Sequence, residues 1–236
     1  MIEVFDPSRL ADFSLFQGLS ENQLERIRRA LHSATFPART HFVRWGQPNE
    51  ALYIVQSGIV KISIPGAAGS EVILGFQGGG EVIGEISLVD GGGHSVDVFT
   101  HERSTLYRID SSTFANCLET MPNLYRNVAR ILARHARMGA RQMYNVARLS
   151  IDGRVAFWLL HLARDYGYTD SAGNTRIPLK LTQADIANCV GASRVRVNQT
   201  LANFTGGDYI DVEQNIYTIL NRAALLALCE ESLGEV

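Results

Sequence analysis

The sequence predicts an α+β chain with a β barrel or double-sheet jelly roll first, one long helix next, and a winged helix-turn-helix last. Three observations carry this. Residues 34–110 alternate short β-branched and aromatic runs with glycine-rich turns. From Ser111 the apolar residues fall at helical spacing, in one stretch of about 30 residues. Residues 181–203 then read as two short helices around a glycine, with two β-rich runs behind them.

The elements follow in order. Residues 13–31 read as a helix, with Ser20 as N-cap, Gln23 closing a capping box, and Leu24, Ile27 and Leu31 at helical spacing. Strands are predicted at residues 52–55, 59–64, 72–74, 95–98 and 105–109. Glycine-rich turns at 56–58, 65–69, 78–80 and 91–93 separate them, and no helix of useful length fits between.

In the long helix, Leu124, Val128, Ile131, His135, Met138, Gln142 and Leu149 track a seam of period about 3.5, beside a stripe of Leu132, Gly139, Met143 and Val146. Such a seam suits a two-stranded coiled coil between two copies of the chain. The alternative is a long helix packed on its own barrel. His135 and Gln142 are polar positions that cost stability on a seam and can set its register. Arginines 126, 130, 134, 137 and 141 fall on the flanks. Residues 150–154 break the pattern like a hinge, 155–166 form a strongly apolar helix, and 167–178 read as a turn-rich hairpin.

Composition narrows the function classes. At 236 residues with 46% hydrophobic and 19% charged residues, the chain fits a globular protein of two domains. No apolar run approaches the ~20 residues of a membrane span, and the first residues lack a basic-then-apolar leader, so the cytoplasm is expected. The net charge of −2 hides a segregation: residues 121–175 carry 8 arginines against 3 aspartates, while residues 1–120 carry 9 basic against 14 acidic side chains. A basic block is the electrostatic footprint of nucleic-acid binding, and also what a solvated helix face looks like. Cys117, Cys189 and Cys229 are too scattered for a disulfide framework or a zinc site; they read as core residues, or as one redox-responsive thiol among them. No Ser/His/Asp order, carboxylate pair or metal-spaced cluster supports an enzyme or a metal site.

The segment 181–203 carries the chemistry. Thr182 caps a first helix with Ile186, Ala187 and Val190 inside, and Gly191 ends it. Ser193 caps a second helix with Val197 and Leu201 inside, and small Ala187 lets the two cross closely. Arg194, Val195, Arg196, Asn198 and Gln199 remain for the outside. In helix-turn-helix docking the start of the second helix enters the major groove. Arg pairs with guanine, Asn or Gln with adenine, and Val195 can pack on a thymine methyl. Ser193 and Thr182 can donate to phosphates, and Gln183 joins them as a DNA contact. An ordinary helical hairpin with a polar face is the alternative. Against it, residues 209–212 and 216–220 flank Glu213-Gln214-Asn215 as a β-hairpin where a winged helix carries its wing.

Taken together, these residues resemble the CRP/FNR family, named for the cyclic-AMP receptor protein and the fumarate–nitrate regulator. The resemblance rests on Phe16-Gln17-Gly18-Leu19-Ser20, Leu52-Tyr53-Ile54-Val55-Gln56-Ser57-Gly58, Gly84-Glu85-Ile86-Ser87-Leu88, Gly153-Arg154-Val155-Ala156 and residues 181–201, the most specific stretch. It implies a cyclic-nucleotide-binding-type jelly roll as sensor domain (1–120), a dimerisation helix and hinge (121–150), and a winged helix-turn-helix (151–236). It also implies a homodimer on a near-palindromic double-stranded site, half-sites about 34 Å apart, with RNA polymerase as a partner and no membrane.

Two departures matter. The receptor's recognition pattern Ser-Arg-Glu-Thr-Val-Gly-Arg is here Ser193-Arg194-Val195-Arg196-Val197-Asn198-Gln199, so a carboxylate that accepts from cytosine is gone and a different half-site is expected. In the sensor, Gly84, Glu85, Ile86 and Ser87, followed by His94 and Ser95, resemble the family's phosphate-binding cassette. Glycine N–H groups can cradle a phosphate and a carboxylate can accept from a ribose hydroxyl. The family's arginine falls on His94, in a loop one residue shorter, and its adenine-facing Thr-Ser pair falls on Gly139 and Ala140. A neutral imidazole supplies one donor where arginine supplies a charged fork. Three possibilities stay open: cyclic AMP, another small nucleotide-like effector, or no ligand. Gly84 and Glu85 can also be a barrel turn with an interdomain contact, and His94 reads as an exposed loop residue rather than a metal or haem ligand. The family's iron–sulfur chemistry is not expected, since no cysteine precedes Cys117. A ligand sensor acting through protein contacts is the alternative to a DNA-binding regulator.

Overall fold

The computed structural model describes residues 7–230. The first six residues, read above for a leader, and the last six lie outside the described residues. The chain divides into two compact units, Met1–Arg137 and Met138–Val236.

The first unit is a double sheet. Its strands are β1 (His32–Phe36), β2 (His41–Val43), β3 (Ala51–Ser57), β4 (Val60–Pro65), β5 (Glu71–Gln77), β6 (Val82–Ile83), β7 (Asp97–Thr100) and β8 (Ser104–Asp110). They form two antiparallel sheets, ordered β1-β8-β3-β6 and β2-β7-β4-β5. Adjacent residues point to opposite faces, and two cross-strand pairs show it. Val55 and Leu106 join Val43, Val60, Ile83 and Val98 in one core. Ile54 and Tyr107, one residue away on each strand, join Leu15, Phe16, Ile27 and Phe114 in a second core.

Helix α1 (Glu21–Ala30) is shorter than residues 13–31 predict. Ser20 caps it with the expected box, and a cap starts a helix rather than continuing one; Ser14–Phe16 is a separate 3₁₀ turn. A second helix, α2 (Glu85–Asp90), occupies a stretch where none is expected. Gly84 and Gly91 bound it, both left-handed, which confines it to six residues. Strands β1, β2 and β6 are also beyond the sequence reading: β1 is His-Ser-Ala-Thr-Phe, without alternation, and β6 is two residues long.

After α3 (Ser111–Thr120) comes α4 (Pro122–Arg148), 27 residues long, with proline in its first turn where no amide partner is lost. Its seam needs correction. Leu124, Val128 and Ile131 are buried in the second core of their own unit, with Leu132 packed against it. For this half the long helix packs on its own barrel, so Leu124, Val128 and Ile131 are not available to a second chain, while Leu132 is only partly covered. Packing against a barrel and pairing with a partner helix demand the same spacing, which is why period alone left both open.

In the second unit the remaining turns of α4 expose Met138, Gly139, Met143 and Val146, while Leu149 is buried and Gln142 half-buried. Ser150 caps α5 (Ile151–Tyr166) by accepting from the Gly153 amide at 3.1 Å, so the expected hinge is the cap between two helices. Then follow the hairpin β9 (Tyr168–Thr169) and β10 (Thr175–Ile177), α6 (Gln183–Val190), α7 (Arg194–Gly206), the hairpin β11 (Ile210–Glu213) and β12 (Ile216–Ile219), and α8 (Arg222–Glu230). The strands form one sheet, ordered β11-β12-β10-β9. Helix α8 packs on α5 so closely that a Cβ on Gly153 would sit 2.8 Å from the Leu228 carbonyl oxygen. Cys117 is a core residue, and Cys189 and Cys229 are half-buried; none of the three is in a disulfide. Among the described residues no helix is long and apolar enough to cross a membrane, and no group of His, Cys, Asp or Glu is arranged to hold a metal.

Candidate DNA-reading helix and effector pocket

The helix-turn-helix is built from local chemistry. Thr182 Oγ1 accepts from the Asp185 amide at 3.1 Å, and Asp185 Oδ2 accepts from the Thr182 amide at 2.9 Å, closing a capping box at the start of α6. Gly191 ends α6 at φ 63° and ψ 44°, a left-handed conformation that glycine adopts without steric cost. Ser193 Oγ accepts from the Arg196 amide and starts α7. Ile186, Ala187, Val190, Val197 and Leu201 are buried, as their spacing predicts.

The outer face of α7 is open. Arg194, Val195, Arg196, Asn198 and Gln199 are all exposed, Val195 at 78%. Val195 stands open between two arginines on a helix with no acid in its first turn, where it can pack on a thymine methyl. Thr182 needs a correction as a phosphate donor, because its hydroxyl proton goes to Asp185 Oδ2 at 2.7 Å. Ser193 stays exposed, and Gln183 is half-buried.

Arg154 and Asp152, assigned no structural role of their own from the sequence, hold this pair of helices. Arg154 Nη1 donates to the Val190 carbonyl at 2.8 Å, just before the turn glycine. Thr200, on the buried side of α7, donates to Asp152. Both anchors, Asp152 and Arg154, come from the first turn of α5, which positions the turn and the second helix. The wing is tied in as well: the Leu181 amide donates to the Asn215 carbonyl at 2.9 Å. Its two-residue loop, Gln214 and Asn215, has φ of 50° and 65°, the form that matches strand twist in a tight hairpin. Tyr217 behind it is buried, which, with the Asp185 carboxylate nearby, pushes its phenol up to about 12.

In the first unit, Gly84 sits at φ 95°, and its carbonyl accepts from Asn49 Nδ2 at 2.6 Å. The next residue, Glu85, turns inward with a side chain only 5% exposed. Its Oε1 lies 2.9 Å from Nδ1 of His135 on α4. One residue earlier on α4, Arg134 Nη2 pairs with Glu81 Oε2 at 2.6 Å. His135 therefore faces a carboxylate of its own chain.

His94 is buried, not an exposed loop residue. Its backbone pins it there: its amide donates to the Gln47 carbonyl at 2.9 Å, and its carbonyl accepts from the Gly46 amide at 2.8 Å. Burial pushes its imidazole below the ordinary value of 6.5, partly opposed by the Glu85 carboxylate, so it is neutral near pH 7. Ser87 is buried too, whereas Ile86 and Ser95 are exposed. A groove of about 550 Å³ borders α2, lined in part by Asn49, Ser87, Leu88, Gly93 and Ser112. Of the six candidate effector residues only Ser87 lines it. The structure thus brings Glu85 and His135 together, with His94 close enough for its charge state to respond to Glu85.

Comparison with known proteins places both units. Residues 34–121 match the cyclic nucleotide-binding domain family, and residues 153–228 the Crp-like helix-turn-helix domain family. The CRP-like cAMP-activated global transcriptional regulator of Mycobacterium tuberculosis (strain H37Rv) is 31% identical over 204 residues, 86% of this chain and 91% of that protein. The cAMP-activated global transcriptional regulator CRP of Haemophilus influenzae is 29% identical over 172 residues, 72% of this chain and 75% of that one. Among solved structures, the c-di-GMP responsive global regulator CLP of Xanthomonas campestris shares the fold at a TM-score of 0.75 and 22% identity, covering 85% of this chain and 99% of that chain. A double-sheet cyclic nucleotide-binding-type domain, a long helix and a Crp-like winged helix-turn-helix, in one chain and in that order, make this protein a member of the CRP/FNR family of transcription regulators.

Proposed function

We propose that the protein acts as a homodimer that reads a near-palindromic DNA site through α7, with half-sites one helical turn apart, about 34 Å. The observation that carries this is the two-sided α7: Val197, Thr200, Leu201 and Phe204 are buried, while Arg194, Val195, Arg196, Asn198 and Gln199 are all exposed. Arg194 is the base reader, suited to guanine, and Arg196 the phosphate contact. Val195 and Gln199 favour a half-site unlike that of the receptor pattern. Ser193 supports the backbone contact at the helix N-terminus.

Dimerisation runs through the second half of α4. Met143 is 75% exposed and Val146 60%, with Met138 and Tyr144 also open, and a helix bearing such side chains in water suits a partner helix. The protein works in the cytoplasm, with DNA and RNA polymerase as partners and no chemistry of its own. Control by ordinary cyclic AMP is disfavoured: Glu85 is already engaged by His135, and His94 offers a neutral ring to a phosphodiester. A different small effector, or none, fits these residues better.

Selection from randomised duplexes tests the reading. Enrichment of a near-palindrome with half-sites one turn apart is the expected result. Binding that is only salt-sensitive and without sequence preference would instead favour a sensor acting through protein contacts.

A further inference from the structure

Gln199 does not stand alone on the surface of α7. Its Nε2 donates to Oδ1 of Asn203, four residues further on, at 3.1 Å. Both residues are exposed. With Val195 they form one stripe at i, i+4 and i+8, so Asn203 stands directly behind the position where Gln199 would meet a base.

The bond restricts what Gln199 can present. A glutamine amide has one acceptor oxygen and two N–H donors. With one N–H given to Asn203, the outward edge holds Oε1 beside the remaining N–H, an acceptor next to a donor. In the major groove adenine shows the complement, a donor at N6 next to an acceptor at N7, whereas guanine shows two acceptors, O6 and N7. Opposite guanine, the held amide would set its oxygen against O6. An amide free to rotate could turn its NH2 towards guanine instead. Holding the side chain also reduces the rotamer freedom that Gln199 loses on binding.

We propose that Asn203 is a positioning residue for base selection: it holds the Gln199 amide in the orientation that accepts adenine and rejects guanine at one base pair of each half-site. This rests on the reading of α7 as the DNA-contacting helix.

The test uses the full chain on duplexes selected by the wild-type protein. Gln199→Ala first locates the base pair that Gln199 reads. At that pair the wild type should prefer adenine over guanine by about tenfold or more. Asn203→Ala should reduce that preference to less than about threefold, with affinity for a scrambled duplex and the salt slope unchanged, because no phosphate contact is lost. Asn203→Asp, whose carboxylate can only accept, should keep the preference while weakening all duplexes alike. Full adenine preference in Asn203→Ala overturns the proposal, as does equal loss in the alanine and aspartate variants. A wild-type protein that selects no sequence overturns the reading of α7 itself and the proposal with it. One that selects sequence, but without an adenine preference at this pair, overturns the proposal alone.

Discussion

The carboxylate of Glu85, the first residue of the cassette helix α2, and the His135 imidazole, fifty residues apart in the chain, meet at 2.9 Å. The carboxylate is almost fully enclosed, so its partner matters more than a surface ion pair would. His135→Ala should therefore destabilise the protein by about 1–3 kcal/mol, the cost of leaving a buried acceptor unsatisfied. His135→Gln, which can still donate, should recover most of it. Urea unfolding checks this, and an alanine variant as stable as wild type would contradict the pairing.

His94 gives a pH prediction with a definite sign. Its imidazole is held below 6.5 by burial, so on acidification the unfolded chain takes up its proton first. Its contribution to stability is full above pH 6.5 and is lost as pH falls through the lower, folded value. His161 is depressed for the same first reason and adds to the slope. Stability should thus fall on going from pH 7 towards pH 5, and His94→Gln should flatten part of that fall. Denaturation midpoints across the range measure it; an unchanged slope in His94→Gln would count against the burial of a neutral imidazole.

The two halves of α4 should respond oppositely to substitution. Val128 is enclosed in the core of its own unit, so Val128→Ala should lower stability without altering assembly. Met143→Glu and Val146→Glu, on the open half, should leave folding intact and convert a dimer to monomers, read by sedimentation. A dimer that survives both would move the interface elsewhere.

The arginines of α7 should separate by readout. Arg194→Ala should cost about 1–3 kcal/mol on the selected site and relax one base pair. Arg196→Ala should weaken all duplexes and lower the salt slope by about 1. Binding at several salt concentrations distinguishes the two roles, and a slope unchanged in Arg196→Ala would remove its phosphate contact.

The parts legible in the sequence are those whose cause is local. Thr182, Gly191 and Ser193 mark the helix ends because caps and left-handed turns are matters of a few neighbouring residues. The wing follows from Gln214 and Asn215 between two β-rich runs. What was hidden depends on distant partners. His135 carries no sign that Glu85 lies opposite, and Arg154 none that Val190 does. Leu124, Val128 and Ile131 show a perfectly good seam, but only the fold reveals that a barrel fills it. Helix α2 was hidden for a different reason, since six residues are too few to establish a period.

The central claim is that the exposed face of α7 reads DNA sequence, and the specificity ratio tests it most directly. Affinity for a selected near-palindrome and for a scrambled duplex is measured at one physiological salt concentration, for the wild type and for Arg194→Ala. The wild type should favour its site by about 10³-fold or more, and Arg194→Ala should lose much of that ratio while keeping its affinity for the scrambled duplex. A wild-type ratio near one would contradict the claim, and so would a ratio that Arg194→Ala leaves intact.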